Sequence, residues 1–113
     1  DYVITQMFFD NSKYFAFVER ARAMGINIPI IPGIKPIHRM SQMSVLPKTF
    51  RVDLPTDLVA ELLKCKDDAA VARVGCEWGI QQCKELMQHG VPSLHFYTLN
   101  AFDSVYKIAK EIY

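Results

Sequence analysis

Gln6 is the residue whose chemistry most needs explaining. It stands inside Ile4-Thr5-Gln6-Met7-Phe8-Phe9-Asp10, a stretch rich in β-branched and aromatic residues that reads as a strand. A side-chain amide carries an acceptor and two donors, enough to read a heterocycle edge of mixed donors and acceptors. The bland alternative is an amide bonded to neighbouring strands or loops. Lys35, in Pro32-Gly33-Ile34-Lys35-Pro36, either meets an anionic ligand or is simply solvated. Asp10 reads as a helix cap, His95 as a buried imidazole with a backbone partner, and Trp78 as core. No Ser/His/Asp or Cys/His set is present, and no paired carboxylates stand at the strand ends, so these residues name no reaction. His38, His89 and His95 are scattered, and Cys65, Cys76 and Cys83 contain no C-x-x-C pair, so no metal site is expected.

The elements that must position these residues follow from periodicity. A strand is expected over 3–9, then Asp10-Asn11-Ser12 as a capping cluster and a helix over 13–24. Tyr14, Phe17, Val18, Ala21 and Met24 form the buried stripe of that helix, and Gly25 ends it. Ile28–Ile31 is a nearly continuous apolar strand, as in parallel sheets covered on both faces. It gives way to the Pro32–Pro36 turn and a short helix over 38–46, stopped by Pro47. Thr56 caps a helix over 57–64, and a longer helix covers 69–89. Val71, Val74, Trp78, Cys83, Leu86 and Met87 share its inner face. Gly75 and Gly79 weaken it by roughly 1 kcal/mol each against Ala, which calls for close approach to a neighbour. The last units are a strand over 93–99 and a helix from Phe102 with Val105, Ile108, Ala109 and Ile112 inward.

Strands alternating with helices imply an α/β fold with parallel pairing. Three βα units alone leave two bare sheet edges, and no G-x-G-x-x-G turn supports a dinucleotide-binding fold. A (β/α)8 TIM barrel, typically about 250 residues, explains the pattern better. Residues 1–113 are then a single partial domain, the C-terminal three or so βα units, with the remainder of the barrel expected upstream. The site of such a barrel lies at the C-terminal ends of its strands, here Gln6–Asp10, Pro32–Lys35 and Thr98–Ala101.

The totals fit a globular domain: 113 residues, 50% hydrophobic and 22% charged. A net charge of +1 gives no argument for a nucleic-acid partner, and no apolar run is long enough to span a membrane. Three unpaired thiols suit a reducing, cytoplasmic setting. Exposed strand edges lead us to expect a homo-oligomer.

Three motifs carry a resemblance. Ile4–Asp10 resembles the ITQxFFD segment of the methylenetetrahydrofolate reductases. Ile30–Pro36 resembles their I(I/V)PGIxP turn, and His95–Asn100 their HFYTLN strand. Their order and spacing also agree, over essentially the whole chain. The resemblance implies a flavoprotein oxidoreductase of one-carbon metabolism and methionine biosynthesis. In it FAD passes hydride from NAD(P)H to methylenetetrahydrofolate, making methyltetrahydrofolate. It assigns folate-substrate contacts to Gln6, Gln42 and Leu46, and places Ile4 and Thr5 beside the flavin. It assigns no catalytic residue within 1–113, since the family's carboxylates lie upstream, so this stretch alone is expected to be inactive. Where many bacterial members continue TLN with a folate-contacting Arg, this chain has Ala101. The alternative is a non-catalytic association or structural module of three βα units.

Overall fold

Pro32 lies inside the central strand of the sheet. In the computed structural model, which describes all 113 residues, strands β1 (Val3–Met7), β2 (Ile30–Ile34) and β3 (His95–Phe96) pair in parallel in the order β1-β2-β3. β2 does not stop at Ile31 as the turn-like Pro-Gly suggests, but runs through both residues. Proline has no N–H to give a ladder, and central strands normally exclude it. That missing N–H lies on the β3 side, where the Ile34 carbonyl meets Tyr97, and the β1–β2 register is irregular as well. Ile4 faces Ile31 and Met7 faces Gly33, so three steps on β1 match two on β2, with an extra β1 residue beside Pro32.

β3 is shorter than the expected 93–99. The Tyr97 N–H still reaches the Ile34 carbonyl at 2.8 Å. Leu99 and Asn100 then turn the chain with φ of 37° and 72°, which no strand continues.

Helix α1 covers Asn11–Ala23, capped by Asp10, whose carboxylate accepts from the Ser12 N–H at 3.0 Å. Of its expected stripe, Tyr14 and Ala21 are buried, but Phe17 and Met24 are 45% and 78% exposed. Phe17 instead lines a groove of about 400 Å³ along β1, beside Val3, Ile4 and Gln6. Helix α2 (Gln42–Phe50) is not stopped by Pro47 but passes through it. The ring removes the donor that the Met43 carbonyl would otherwise receive. The helix closes only at Arg51, in left-handed backbone with φ 53°. Helix α3 covers Thr56–Leu63, and Pro55 rather than Thr56 occupies the cap.

Helix α4 (Asp68–Gln88) and helix α5 (Phe102–Ile112) complete the chain. The two glycines of α4 do mark close approach. A Cβ on Gly75 would overlap the Ile37 carbonyl, and one on Gly79 would lie 2.7 Å from Ile108 Cδ1. The core forms two clusters. One joins Met7, the last residue of β1, and Phe9 just after it to Ile37, Leu46, Leu58, Leu62 and Val71. The other packs Ile30 and Ile34 of β2 against Tyr14, Cys76, Cys83, Leu86 and Ile108. No helix is long and apolar enough to cross a membrane.

Candidate functional site

The irregular step in β1 falls at Thr5 and Gln6. A parallel-sheet bulge is uncommon, and bulges re-aim side chains next to sites. Here side chains replace the interrupted ladder. The Gly33 N–H, just past Pro32, donates to Thr5 Oγ1 at 2.9 Å. That hydroxyl in turn donates to the Gln6 carbonyl at 2.9 Å. The Thr5 carbonyl accepts from the Tyr97 hydroxyl at 2.8 Å. Thr5 therefore has no spare hydroxyl proton for a ligand. Ile4, 36% exposed, offers an apolar surface beside it.

Gln6 is exposed on the bulge. Its Nε2 donates to the Phe50 carbonyl, the last of α2, in a long bond of 3.4 Å, and its Oε1 has no protein partner. Gln42 opens the same helix. Its Oε1 accepts from the N–H groups of His38 at 2.7 Å and Arg39 at 3.1 Å, which caps the turn before α2 and leaves Nε2 free of protein partners. The two glutamines thus hold opposite ends of α2, each by one amide atom. Leu46, between them, is 2% exposed and sits in the core with Met7 and Ile37. It supports α2 from beneath rather than lining an open surface.

Lys35 departs from both sequence readings. It is neither solvated nor open to a ligand, but 3% exposed, and its Nζ has no partner. Phe9, Ile37, Leu58, Gly75, Trp78, Gly79 and Gln82 enclose it. Burial pushes its ammonium below the usual lysine range. His38, whose Nδ1 is also unpartnered, is pushed down by burial first and then by the charges of Lys35 and Arg39. Trp78 and Gln82 secure the end of β1. Trp78 Nε1 donates to the Phe9 carbonyl at 2.9 Å, and Gln82 Nε2 to the Phe8 carbonyl at 3.1 Å. A cleft of about 650 Å³ lies beyond that wall and includes neither Gln6 nor any α2 residue. His95 is half-buried, with its ring edge-on to Tyr97 at 4.7 Å between centroids. Among His, Cys, Asp and Glu, no group of three stands close enough to hold a metal ion.

Sequence reasoning singled out Gln6 and missed the residues that shape its bulge, Gly33 and Tyr97. One signal was available: a glycine inside a strand pattern marks a bulge or a close backbone approach. A Cβ on Gly33 would lie 2.6 Å from the Tyr97 ring and 2.7 Å from the Thr5 carbonyl oxygen.

The chain is similar to known proteins. The sequence profile described as methylenetetrahydrofolate reductase matches residues 1–113. Methylenetetrahydrofolate reductase 1 of Schizosaccharomyces pombe is 37% identical over 113 residues, covering 99% of this chain and 19% of the yeast protein. Methylenetetrahydrofolate reductase (NADH) 1 of Arabidopsis thaliana is 39% identical over 101 residues, 88% of this chain and 17% of the plant protein. The 5,10-methylenetetrahydrofolate reductase of Escherichia coli is 36% identical over 107 residues, 93% of this chain and 36% of its own. The chain thus spans between about a sixth and a third of these relatives. A solved structure, an uncharacterized Clostridium thermocellum protein that binds two copies of 5-methyl-5,6,7,8-tetrahydrofolic acid, superposes with a TM-score of 0.65 at 18% identity. It covers 96% of this chain and 41% of that one, and supports the reading of the fold as βα units of a (β/α)8 barrel. With the three motifs matched in order and the profile running from the first residue to the last, the chain belongs to the methylenetetrahydrofolate reductase family.

Proposed function

We propose that this chain supplies the folate-facing part of a cytoplasmic flavoenzyme that reduces methylenetetrahydrofolate to methyltetrahydrofolate, with NAD(P)H as the electron source. Family membership supports the folate reductase; the observation that carries the assignment to a site is Gln6. It is presented by a bulge at the C-terminal end of β1, with its Oε1 free. An amide so held can bond a pterin ring edge, which offers both donors and acceptors. Gln42, with Nε2 free, extends the polar contacts from α2, and Leu46 keeps that helix seated.

FAD would supply the hydride chemistry in the parent enzyme. The residues present do not make a complete site for it. Ile4 can give apolar contact, but the Thr5 hydroxyl is engaged within the protein. Lys13 is paired with Asp53, and Lys35 is enclosed. No reaction step is therefore assigned to these residues, and the 113-residue chain by itself is inactive on this reading.

The test is a calorimetric titration of the chain with 5-methyltetrahydrofolate, beside a visible absorption spectrum of the purified sample. The expected result is folate binding that Gln6→Leu weakens about tenfold, the loss of roughly one hydrogen bond, with no flavin band. Binding unchanged by Gln6→Leu would overturn the assignment. No folate binding at all would favour a non-catalytic association module.

A further inference from the structure

We propose that Tyr97 is a positioning residue for the Gln6 site, its hydroxyl holding the β1 bulge that presents the amide. The inference rests on the reading of Gln6 as the ligand-facing group. The geometry is unusual in its reach. Tyr97 follows β3, the far strand of the sheet, yet its hydroxyl bonds the Thr5 carbonyl on β1 at 2.8 Å, across β2.

Two features make that reach possible. Gly33 lacks the Cβ that would stand 2.6 Å from the tyrosine ring, so the ring can lie over the central strand. β1 carries one residue more than β2 between Ile4 and Met7, which breaks the pairing there and displaces Thr5. The Tyr97 hydroxyl meets the Thr5 carbonyl in this broken stretch. The Gly33 N–H and the Gln6 carbonyl are both served by the Thr5 hydroxyl. In a regular ladder Gln6 would continue the alternation of Ile4; the extra residue ends that alternation and leaves Gln6 reaching for the end of α2. Removing the Tyr97 hydroxyl leaves the Thr5 carbonyl without its only side-chain partner.

Tyr97→Phe in the full chain tests this, because it keeps the ring over Gly33 and deletes one oxygen. Without ligand, nitrogen–proton spectra of the variant should show the Gln6 side-chain NH2 pair shifted and the Gly33 amide exchanging faster. Gly33→Ala, which pushes on the ring and on the Thr5 carbonyl, should move the same signals. An unmoved Gln6 pair in Tyr97→Phe would overturn the proposal, whether or not folate binds. With 5-methyltetrahydrofolate, Tyr97→Phe should weaken binding about fivefold to tenfold. The double variant with Gln6→Leu should bind no more weakly than Gln6→Leu alone. Additive losses would mean that Tyr97 acts on the ligand independently of Gln6, and would overturn the positioning role. Absence of binding by the unmodified chain would refute the folate reading, while the ligand-free spectra would still decide the part played by Tyr97.

Discussion

Lys35 is the side chain most at odds with its surroundings. An ammonium enclosed by Phe9, Ile37, Leu58 and Trp78 with no partner is an unsatisfied buried group. Such groups cost about 1–3 kcal/mol. Lys35→Met should therefore raise stability near neutral pH by that order. The pH dependence has a definite sign. Burial lowers the folded-state value below the ordinary 10.5, so unfolding takes up a proton between the two values. The penalty is absent above the unfolded value, grows as pH falls toward the folded one, and is constant below it. Urea melts from pH 10.5 to pH 6 should show the gap between Lys35→Met and the unmodified chain widening as pH falls; a constant gap would be the wrong outcome. The cysteines give a second residue-scale prediction. Burial pushes the Cys83 thiol up to about 12 and raises Cys76 as well, whereas Cys65 is half-buried. Native-state iodoacetamide at pH 8 should modify Cys65 well before the other two, since the thiolate is the nucleophile. Mass spectra showing equal rates at all three would contradict the packing of α4.

At the scale of elements, α4 is the helix whose two glycines do different jobs. At Gly75 an added Cβ meets the backbone of Ile37, which cannot yield without moving the segment between β2 and α2. Gly75→Ala should destabilise by about 1–3 kcal/mol, the usual range for overpacking, despite the better helix propensity. At Gly79 the obstacle is Cδ1 of Ile108, the far end of a flexible side chain. There the propensity gain of roughly 1 kcal/mol offsets the repacking, and Gly79→Ala should be near neutral. Thermal melts of the two variants separate these expectations; equal losses would show that α4 is not seated on Ile37. Periodicity located α4 and anticipated that its glycines mark contact. It did not locate the neighbours, because what each glycine touches is far away in the chain. The same limit explains Phe17 and Met24, which have helical spacing but stay largely outside the core.

For the whole molecule, the open sheet matters most. β1 is an edge strand with Tyr2 63% and Val3 41% exposed, beside the groove that Phe17 lines. Unpaired strand edges with apolar cover recruit further strands. Light scattering should give a mass above the 12.9 kDa of one chain. A single species at that mass would count against edge pairing. Ion pairs add little to cohesion at this scale, since the three present are all substantially exposed.

Local pattern was enough for three βα units and the parallel sheet, and it singled out Gln6 as a candidate, because hydrophobic spacing and an amide in an apolar strand are written in neighbouring residues. The motifs Ile4–Asp10, Ile30–Pro36 and His95–Asn100 were enough for the family. Tertiary structure alone decided how Gln6 is presented. The bulge is held by a threonine on β1, a glycine on β2 and a tyrosine after β3, up to 92 residues apart. It also decided the fate of Lys35, whose burial depends on α3 and α4 closing over β2. Hydrogen bonds and burial between residues so distant follow from packing, which no local spacing encodes.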